Sequence, residues 1–133
     1  MIQGLDHVNL RTSDVDRLVR FYVDIVGLRL GDRPPFDFGG AWLYAGDRPV
    51  VHVVEVADEP RSAAEPSVPA PSLSLEHFAF AADGLEAFVG GLDAGDITYR
   101  RSRQLGSGKT VINLRDPDGN RLHVDFFAPS ADS

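Results

Sequence analysis

Four histidines give this chain of 133 residues its clearest capacity for chemistry. They stand at His7, His52, His77 and His123. Neutral imidazole is a good ligand for Zn, Fe, Ni or Cu, whereas Ca prefers oxygen ligands. The chain has no cysteine, which excludes thiolate metal sites and disulfides. The residue types therefore favour a divalent transition-metal site made of nitrogen ligands.

Each histidine lies on a predicted strand between apolar neighbours. Val51 and Val53 flank His52, and Leu122 and Val124 flank His123. Because strand side chains alternate between faces, we expect all four imidazoles to lie on the sheet face away from the helices. Taken singly, each histidine is better explained as a half-buried strand residue that bonds to backbone or solvent. Taken together, in equivalent places of a repeat, they favour metal binding.

The segment RDPDGNRLHVDFF, residues 115–127, carries the last of these histidines. Asp116–Asn120 predicts a tight turn, since proline presets φ and glycine or asparagine tolerates a positive φ. On the strand that follows, Asp125 shares the face of His123. Asp125 is the nearest candidate for a catalytic general base. The alternative is a carboxylate that steadies a histidine.

The elements that position these residues form a repeat. An offset of 70 takes Leu5 to Leu75, His7 to His77 and Leu18 to Phe88, and one residue later His52 maps to His123. We predict an α+β fold of two tandem βαβββ modules that form a curved mixed sheet in a single domain, 1–133. The first module covers about 1–56, a proline-rich linker 57–74, and the second module about 75–128.

Hydrophobic periodicity places the elements of both modules. The predicted strands are Leu5–Arg11, Leu28–Gly31, Ala41–Ala45, Val50–Val56, Leu75–Ala81, Ile97–Arg103, Lys109–Arg115 and Arg121–Phe127. The first helix is expected to start at a Thr12 or Ser13 cap and to end at Gly27. The second helix is expected to start at an Asp83 cap.

Composition narrows the partners. The net charge of −7 argues against nucleic acid or an anionic membrane as the main partner. No apolar run approaches the length of a membrane span, and no signal peptide opens the chain. We therefore expect a soluble cytoplasmic protein.

The sequence resembles the vicinal-oxygen-chelate superfamily, which includes glyoxalases, bleomycin-resistance proteins and extradiol dioxygenases. The motifs that carry the resemblance are GLDHVNLRTSDVDRLVRFYVDIVGL near the start, LEHFAF in the middle and DPDGNRLHV near the end. The resemblance implies a metal site on the first and last strands of each module, which matches the four histidines. It also implies a divalent ion such as Zn, Fe, Ni or Mn.

This chain departs from the family pattern at two of those places. Glutamate is usual on the last strands in glyoxalase I, where this chain has His52 and His123. A lactoylglutathione lyase is therefore not supported, and the dioxygenase pattern of two histidines and a carboxylate is complete only if Asp125 substitutes. Arg11 matches the position of a glutathione-contacting arginine, although a plain salt bridge explains it equally well.

Further candidates for substrate binding share these strand faces. They are Asn9, next to Arg11, and the pair Trp42 and Tyr44 on the third strand. Core packing or a dimer contact accounts for the two aromatic residues equally well.

The sequence leaves two functional classes open. One is a metalloenzyme, either a lyase or isomerase or a dioxygenase, that chelates adjacent oxygens of an enediolate, hydroxyketone or catecholate. The other is a metal-free protein of the bleomycin-resistance type that binds a small molecule or an antibiotic. The family resemblance also implies a homodimer.

Overall fold

The computed structural model describes residues 1–57, 75–104 and 106–127. The chain divides into two compact units, Met1–Ser72 and Leu73–Ser133. Each unit holds a helix and a mixed four-stranded sheet, which confirms the predicted α+β class and the βαβββ order. The predicted linker lies almost wholly outside the described residues. No helix in the described ranges is long and apolar enough to cross a membrane.

The first unit contains one four-stranded sheet and one helical segment, and its elements follow in chain order. These are β1 (Val8–Thr12), α1 (Val15–Arg20) with a π-helical continuation (Phe21–Val26), β2 (Arg29–Gly31), β3 (Gly40–Ala45) and β4 (Arg48–Glu55). The strand order is β1-β4-β3-β2, with β1 parallel to β4 and the other pairs antiparallel.

The second unit repeats this plan. Its elements are β5 (Phe78–Ala82), α2 (Leu85–Ala94), β6 (Tyr99–Arg103), β7 (Thr110–Arg115) and β8 (Arg121–Phe126). The order is β5-β8-β7-β6, with β5 parallel to β8. In both units the first and last strands are therefore direct neighbours, which sets the histidines of each unit side by side.

Strand alternation separates a buried face from a half-exposed face in both sheets. In the first unit Val51 and Val53 are buried while His52 between them is partly exposed. In the second unit Leu122 and Val124 are buried on either side of His123. His52 and His123 thus lie on the sheet face opposite the apolar core, as the period-2 pattern predicts.

The start of each helix differs from the prediction. Asp14, rather than Thr12 or Ser13, caps α1, and its Oδ1 accepts a hydrogen bond from the Arg17 backbone N–H at 3.1 Å. Gly84 rather than Asp83 stands at the start of α2, and it makes no side-chain cap. Helix α1 also widens into π geometry, which buries the adjacent aromatics Phe21 and Tyr22.

The first strand of each unit starts later than predicted. Both first strands begin one residue after a histidine, at Val8 and Phe78, so His7 and His77 immediately precede them. Gly27 ends the first helical segment with φ of 100°, as predicted.

The turn before β8 is built around a buried carboxylate. Asp116 is 4% exposed and accepts hydrogen bonds from the backbone N–H groups of Asp118 and Asn120, both at 2.9 Å. Its second oxygen accepts one from the Asn120 side-chain amide at 2.8 Å. Gly119 takes the positive φ, 87°, that the turn requires. This carboxylate fixes where β8 begins and hence where His123 lies.

Candidate metal centre

The two histidines of the first unit form a stacked pair. The ring centroids of His7 and His52 are 3.8 Å apart, and the ring planes differ by 14°. Parallel pairing of β1 with β4 places Asn9 opposite His52, and His7 precedes that strand by one residue. The strand register therefore brings together two imidazoles that are 45 residues apart in the chain.

The second unit holds the equivalent pair. The centroids of His77 and His123 are 4.0 Å apart, with 16° between the rings. Here Ala79 lies opposite His123 in the parallel pairing of β5 with β8. Both units thus prepare two adjacent imidazoles in the same way.

A carboxylate from the preceding residue orients one histidine of each pair. Asp6 Oδ2 lies 2.7 Å from His7 Nδ1, and Glu76 Oε1 lies 3.3 Å from His77 Nδ1. A carboxylate on Nδ1 favours the tautomer that leaves the Nε2 lone pair available. The hydrogen bond with His7 also lowers the pKa of Asp6.

The other histidine of each pair has a buried nitrogen without a partner. Nε2 of His52 and Nε2 of His123 are buried and make no hydrogen bond within the described residues. Buried polar atoms in proteins are nearly always paired, so two equivalent exceptions call for an explanation. A lone pair available for a metal ion is one, and it suits the affinity of imidazole for transition metals.

Burial favours the neutral form of both of these histidines. Desolvation, followed by repulsion from His7, lowers the pKa of His52. Desolvation, followed by repulsion from His77, lowers the pKa of His123. Neutral imidazole is the form that binds metal, so both shifts favour ligation near neutral pH.

The grouping within the described residues stops at pairs. No set of three or more histidine or acidic side chains in those ranges is arranged to hold a metal ion. The nitrogen donors therefore fit a transition metal in their chemistry, while ligation by all four histidines stays a prediction.

Asp125 does not stand alone beside His123. Its Oδ2 accepts a hydrogen bond from Lys109 Nζ at 3.0 Å, while its buried Oδ1 has no hydrogen-bond partner in the described part of the chain. The side chains of Lys109 and Asp125 are only 22% and 13% exposed. One oxygen of this carboxylate is thus bonded to a cation, and the other has no hydrogen-bond partner among the described residues.

Of the four residues predicted to bind substrate, two lie beside His52 and two lie away from it. Asn9 and Trp42 are both register partners of His52, and the Trp42 and His52 rings stack at 4.0 Å. Arg11 lies further along β1 and is exposed. Tyr44 is engaged elsewhere, because its hydroxyl donates to the Asp32 carbonyl at 2.6 Å and its ring lies under Arg29.

Three residues at these pairs were not singled out from the sequence. They are Asp6, Glu76 and Lys109. The sequence repeat could have identified Asp6 and Glu76, because they are related by the same offset of 70 that relates His7 to His77. No feature of the sequence indicated Lys109, since its pairing with Asp125 depends on how β7 and β8 align.

A βαβββ unit that occurs twice, each with a mixed four-stranded sheet and a helix, is typical of the glyoxalase class of fold. The chain belongs to the Glyoxalase/Bleomycin resistance protein/Dioxygenase superfamily, whose model matches residues 4–124. This confirms the resemblance seen in the sequence.

Two curated relatives are similar over most of the chain. The metallothiol transferase FosB of Shouchella clausii (strain KSM-K16) is 31% identical, over 93% of this chain and 80% of the relative. The glutathione transferase FosA of Serratia marcescens is 30% identical, over 96% and 85%.

Solved structures agree with the fold. A putative glyoxalase family protein from Bacillus anthracis has a TM-score of 0.74 at 21% identity, covering 96% of this chain and 98% of that one. A glyoxylase/bleomycin resistance protein/dioxygenase domain from Frankia sp. EAN1pec has a TM-score of 0.75 at 16% identity, covering 96% and 100%.

Proposed function

We propose that this protein is a metal-dependent enzyme that acts on a small molecule with two adjacent oxygen atoms. Its ligands are the imidazoles of His7, His52, His77 and His123, and its metal is Zn, Fe, Ni or Mn. A divalent ion held by neutral imidazoles keeps its full charge and supplies a Lewis acid for the substrate oxygens.

One observation carries this proposal: the unpartnered buried Nε2 atoms of His52 and His123. Within each unit such a nitrogen lies beside a second imidazole whose Nδ1 is already occupied by a carboxylate. These are the features expected of ligands prepared in advance, since metal-binding histidines usually bond a carboxylate or carbonyl through the other nitrogen.

Other residues of the same sheet faces have proposed roles in substrate handling. Asp125 acts as the general base through Oδ1, the oxygen that Lys109 does not hold. Asn9 and Arg11 bind polar or anionic groups of the substrate. Trp42 supplies an aromatic wall, and Tyr44 acts indirectly by fixing the loop at Asp32.

The reaction class is suggested by the relatives, both of which are named as thiol or glutathione transferases. This chain has no cysteine, so any transferred thiol would have to enter as a second substrate. A lyase, isomerase or dioxygenase reaction uses the same chelation of adjacent oxygens and competes with thiol transfer.

Metal analysis of the purified protein tests the proposal. We expect about one equivalent of transition metal after reloading, as for a single mononuclear site. The variant His52→Gln/His123→Gln should lose it. A metal content below about a tenth of an equivalent in the parent protein, at saturating Zn, Fe, Ni or Mn, would contradict the proposal.

With metal present, three assays separate the reaction classes. Loss of free thiol in the presence of an electrophile indicates a transferase. Oxygen uptake with catechols or diketones indicates a dioxygenase, and conversion without either indicates an isomerase or lyase. Light scattering measured alongside tests the proposed homodimer.

A second candidate function is supported by the stacking of Trp42 on His52 and of His52 on His7. A continuous aromatic surface of this kind can line the cavity of a metal-free binding protein. Ligand binding that is unchanged after complete metal removal would favour this alternative.

A further inference from the structure

Three rings of the first unit form one stack, with His52 in the middle. The rings of Trp42 and His52 are 4.0 Å apart with 9° between their planes, and those of His52 and His7 are 3.8 Å apart with 14° between them. The two neighbours come from opposite sides, because β4 lies between β3 and β1 in the sheet. Both faces of the His52 imidazole are therefore covered by a flat side chain, while its nitrogens lie on the ring edge.

The stack bears on where the His52 nitrogens point. Rotation of a histidine ring about χ2 has broad energy minima, so the ring needs contacts to hold one orientation. Nε2 of His52 is buried and has no hydrogen-bond partner within the described residues. No bond at that nitrogen fixes the ring, and contacts on the ring faces limit its rotation instead. The stack thereby sets the direction of the Nε2 lone pair.

Trp42 is itself supported from behind. It lies on β3 directly opposite His52. The Phe36 ring of the preceding loop is 6.4 Å from the indole and tilted by 49°. That loop is closed by a hydrogen bond of 3.1 Å from Arg33 Nη2 to the Phe38 carbonyl. The indole is therefore a fixed surface against which the imidazole can pack.

The second unit has a different residue at the equivalent place. Trp42 is the β3 partner of His52, and Asn113 is the β7 partner of His123. The same offset of 71 relates both members of these pairs. Asparagine has no ring to stack on an imidazole. The two units thus differ at the residue that faces the last-strand histidine.

A chain of polar contacts occupies this region of the second unit. Asn113 Oδ1 accepts a hydrogen bond from Arg121 Nε at 3.4 Å, and Arg121 Nη1 lies 3.4 Å from Glu76 Oε1. Glu76 is the carboxylate that contacts His77. The first unit has no such arginine, because Val50 stands where the repeat would place it. The indole therefore has no polar substitute in the first unit.

From these observations we infer that Trp42 is a positioning residue for the proposed metal site. Its indole holds the His52 imidazole by stacking, in the orientation that leaves Nε2 free to bind a metal ion. The inference rests on the proposed function, since it assumes that His52 is a ligand. It goes further, because metal affinity then depends on a side chain that does not bind the ion.

Substitutions that keep or remove the ring test the inference. The affinity for Zn²⁺ is measured by competition with a coloured chelator, under conditions where every variant is folded. We expect Trp42→Leu to weaken Zn²⁺ binding about three- to tenfold, the range that corresponds to the energy of an aromatic pair. Trp42→Phe keeps a ring opposite His52 and should bind within about twofold of the parent protein.

Two further variants serve as matched comparisons. Trp42→Asn copies the residue of the second unit into the first, where Val50 offers no partner for the amide, and it should bind Zn²⁺ as weakly as Trp42→Leu. Phe38→Leu also removes an aromatic ring from the first unit, but from a side chain that is 44% exposed and does not stack on a histidine. This control should keep the affinity of the parent protein.

The metal-free protein provides a spectroscopic readout of the same contact. An aromatic ring stacked on an imidazole shifts the NMR signals of the imidazole protons through its ring current. The His52 signals should carry this shift in the parent protein, in Trp42→Phe and in Phe38→Leu. They should move towards unstacked values in Trp42→Leu and Trp42→Asn.

The results separate this inference from the proposed function. A parent protein that binds Zn²⁺ no more tightly than Trp42→Leu overturns the inference and leaves the proposed enzyme standing. Equal weakening in Trp42→Leu and Trp42→Phe also overturns it, because the ring would then not be the feature that matters. A loss of stability without a change in Zn²⁺ affinity shows a purely structural pair of strand residues and overturns it as well. A parent protein that takes up no metal overturns both proposals.

Discussion

Lys109 Nζ lies 3.0 Å from Asp125 Oδ2 and thereby joins the residue before β7 to the end of β8. The pair is largely shielded, with Lys109 22% and Asp125 13% exposed in their side chains. A shielded carboxylate depends on its cation more than a surface carboxylate does, because removing the cation leaves an uncompensated charge away from water.

Replacement of this lysine should therefore destabilise the protein. We expect Lys109→Met to lower the free energy of unfolding by about 1–3 kcal/mol, since the Asp125 carboxylate loses the one hydrogen-bond donor that it has among the described residues. Urea unfolding measures the change. Adding Asp125→Asn should restore part of the loss, whereas strictly additive effects of the two substitutions would show that the pair is not coupled.

The carboxylates before the first-strand histidines should set metal affinity. We expect Asp6→Asn and Glu76→Gln each to weaken metal binding by about 10- to 100-fold, because the histidine loses the partner that orients it. The Asp6 effect should be the larger, as its 2.7 Å contact is shorter than the 3.3 Å contact of Glu76. Competition with a coloured chelator measures both.

Asp47→Asn is the control for these two variants. It removes an exposed carboxylate of the same unit, in the turn between β3 and β4, with the same change of charge. If it weakens metal binding as much as Asp6→Asn does, the effect comes from net charge and not from the bond to His7.

The neutral histidines predict a pH dependence of stability in the metal-free protein. Burial lowers the pKa of His52 and His123, so below the ordinary histidine pKa of about 6.5 the unfolded chain binds protons that the folded chain does not. Stability should be fully present above about pH 6.5 and fall as the pH decreases below it. Urea midpoints between pH 8 and 5 test this, and His52→Gln/His123→Gln should flatten the profile.

Substitution of Asp116, the buried carboxylate of the turn before β8, should destabilise the protein more than substitution of its neighbour Asp118. Asp116→Ala removes the acceptor of three hydrogen bonds from a residue that is 4% exposed. We expect a loss of about 2–3 kcal/mol in the free energy of unfolding, since buried donors are left unpaired. Asp118→Ala, at an exposed position of the same turn, should cost clearly less. Equal losses would show that the hydrogen bonds of Asp116 do not hold the turn.

The repeat made the fold predictable, because an offset of 70 aligned strands, helix stripes and histidines together. Alternation also placed His52 and His123 on the half-exposed face correctly. The helix caps were less predictable, because several adjacent residues near Asp14 and Gly84 are equally able to start a helix. The spacing of apolar residues does not distinguish the π-helical segment from an α-helix. The Lys109–Asp125 pair depends on the register between β7 and β8, which a single sequence does not reveal.

The carboxylate–histidine arrangement occurs once in each sheet, built from the two residues just before that sheet's first strand and from its last strand. Each unit thus carries two stacked imidazoles and an acidic partner of its own. The neighbours of the two pairs differ, because Trp42 stacks on His52, whereas Asp125, bonded to Lys109, shares a strand with His123. Substitutions can therefore change the surroundings of one pair without touching the other.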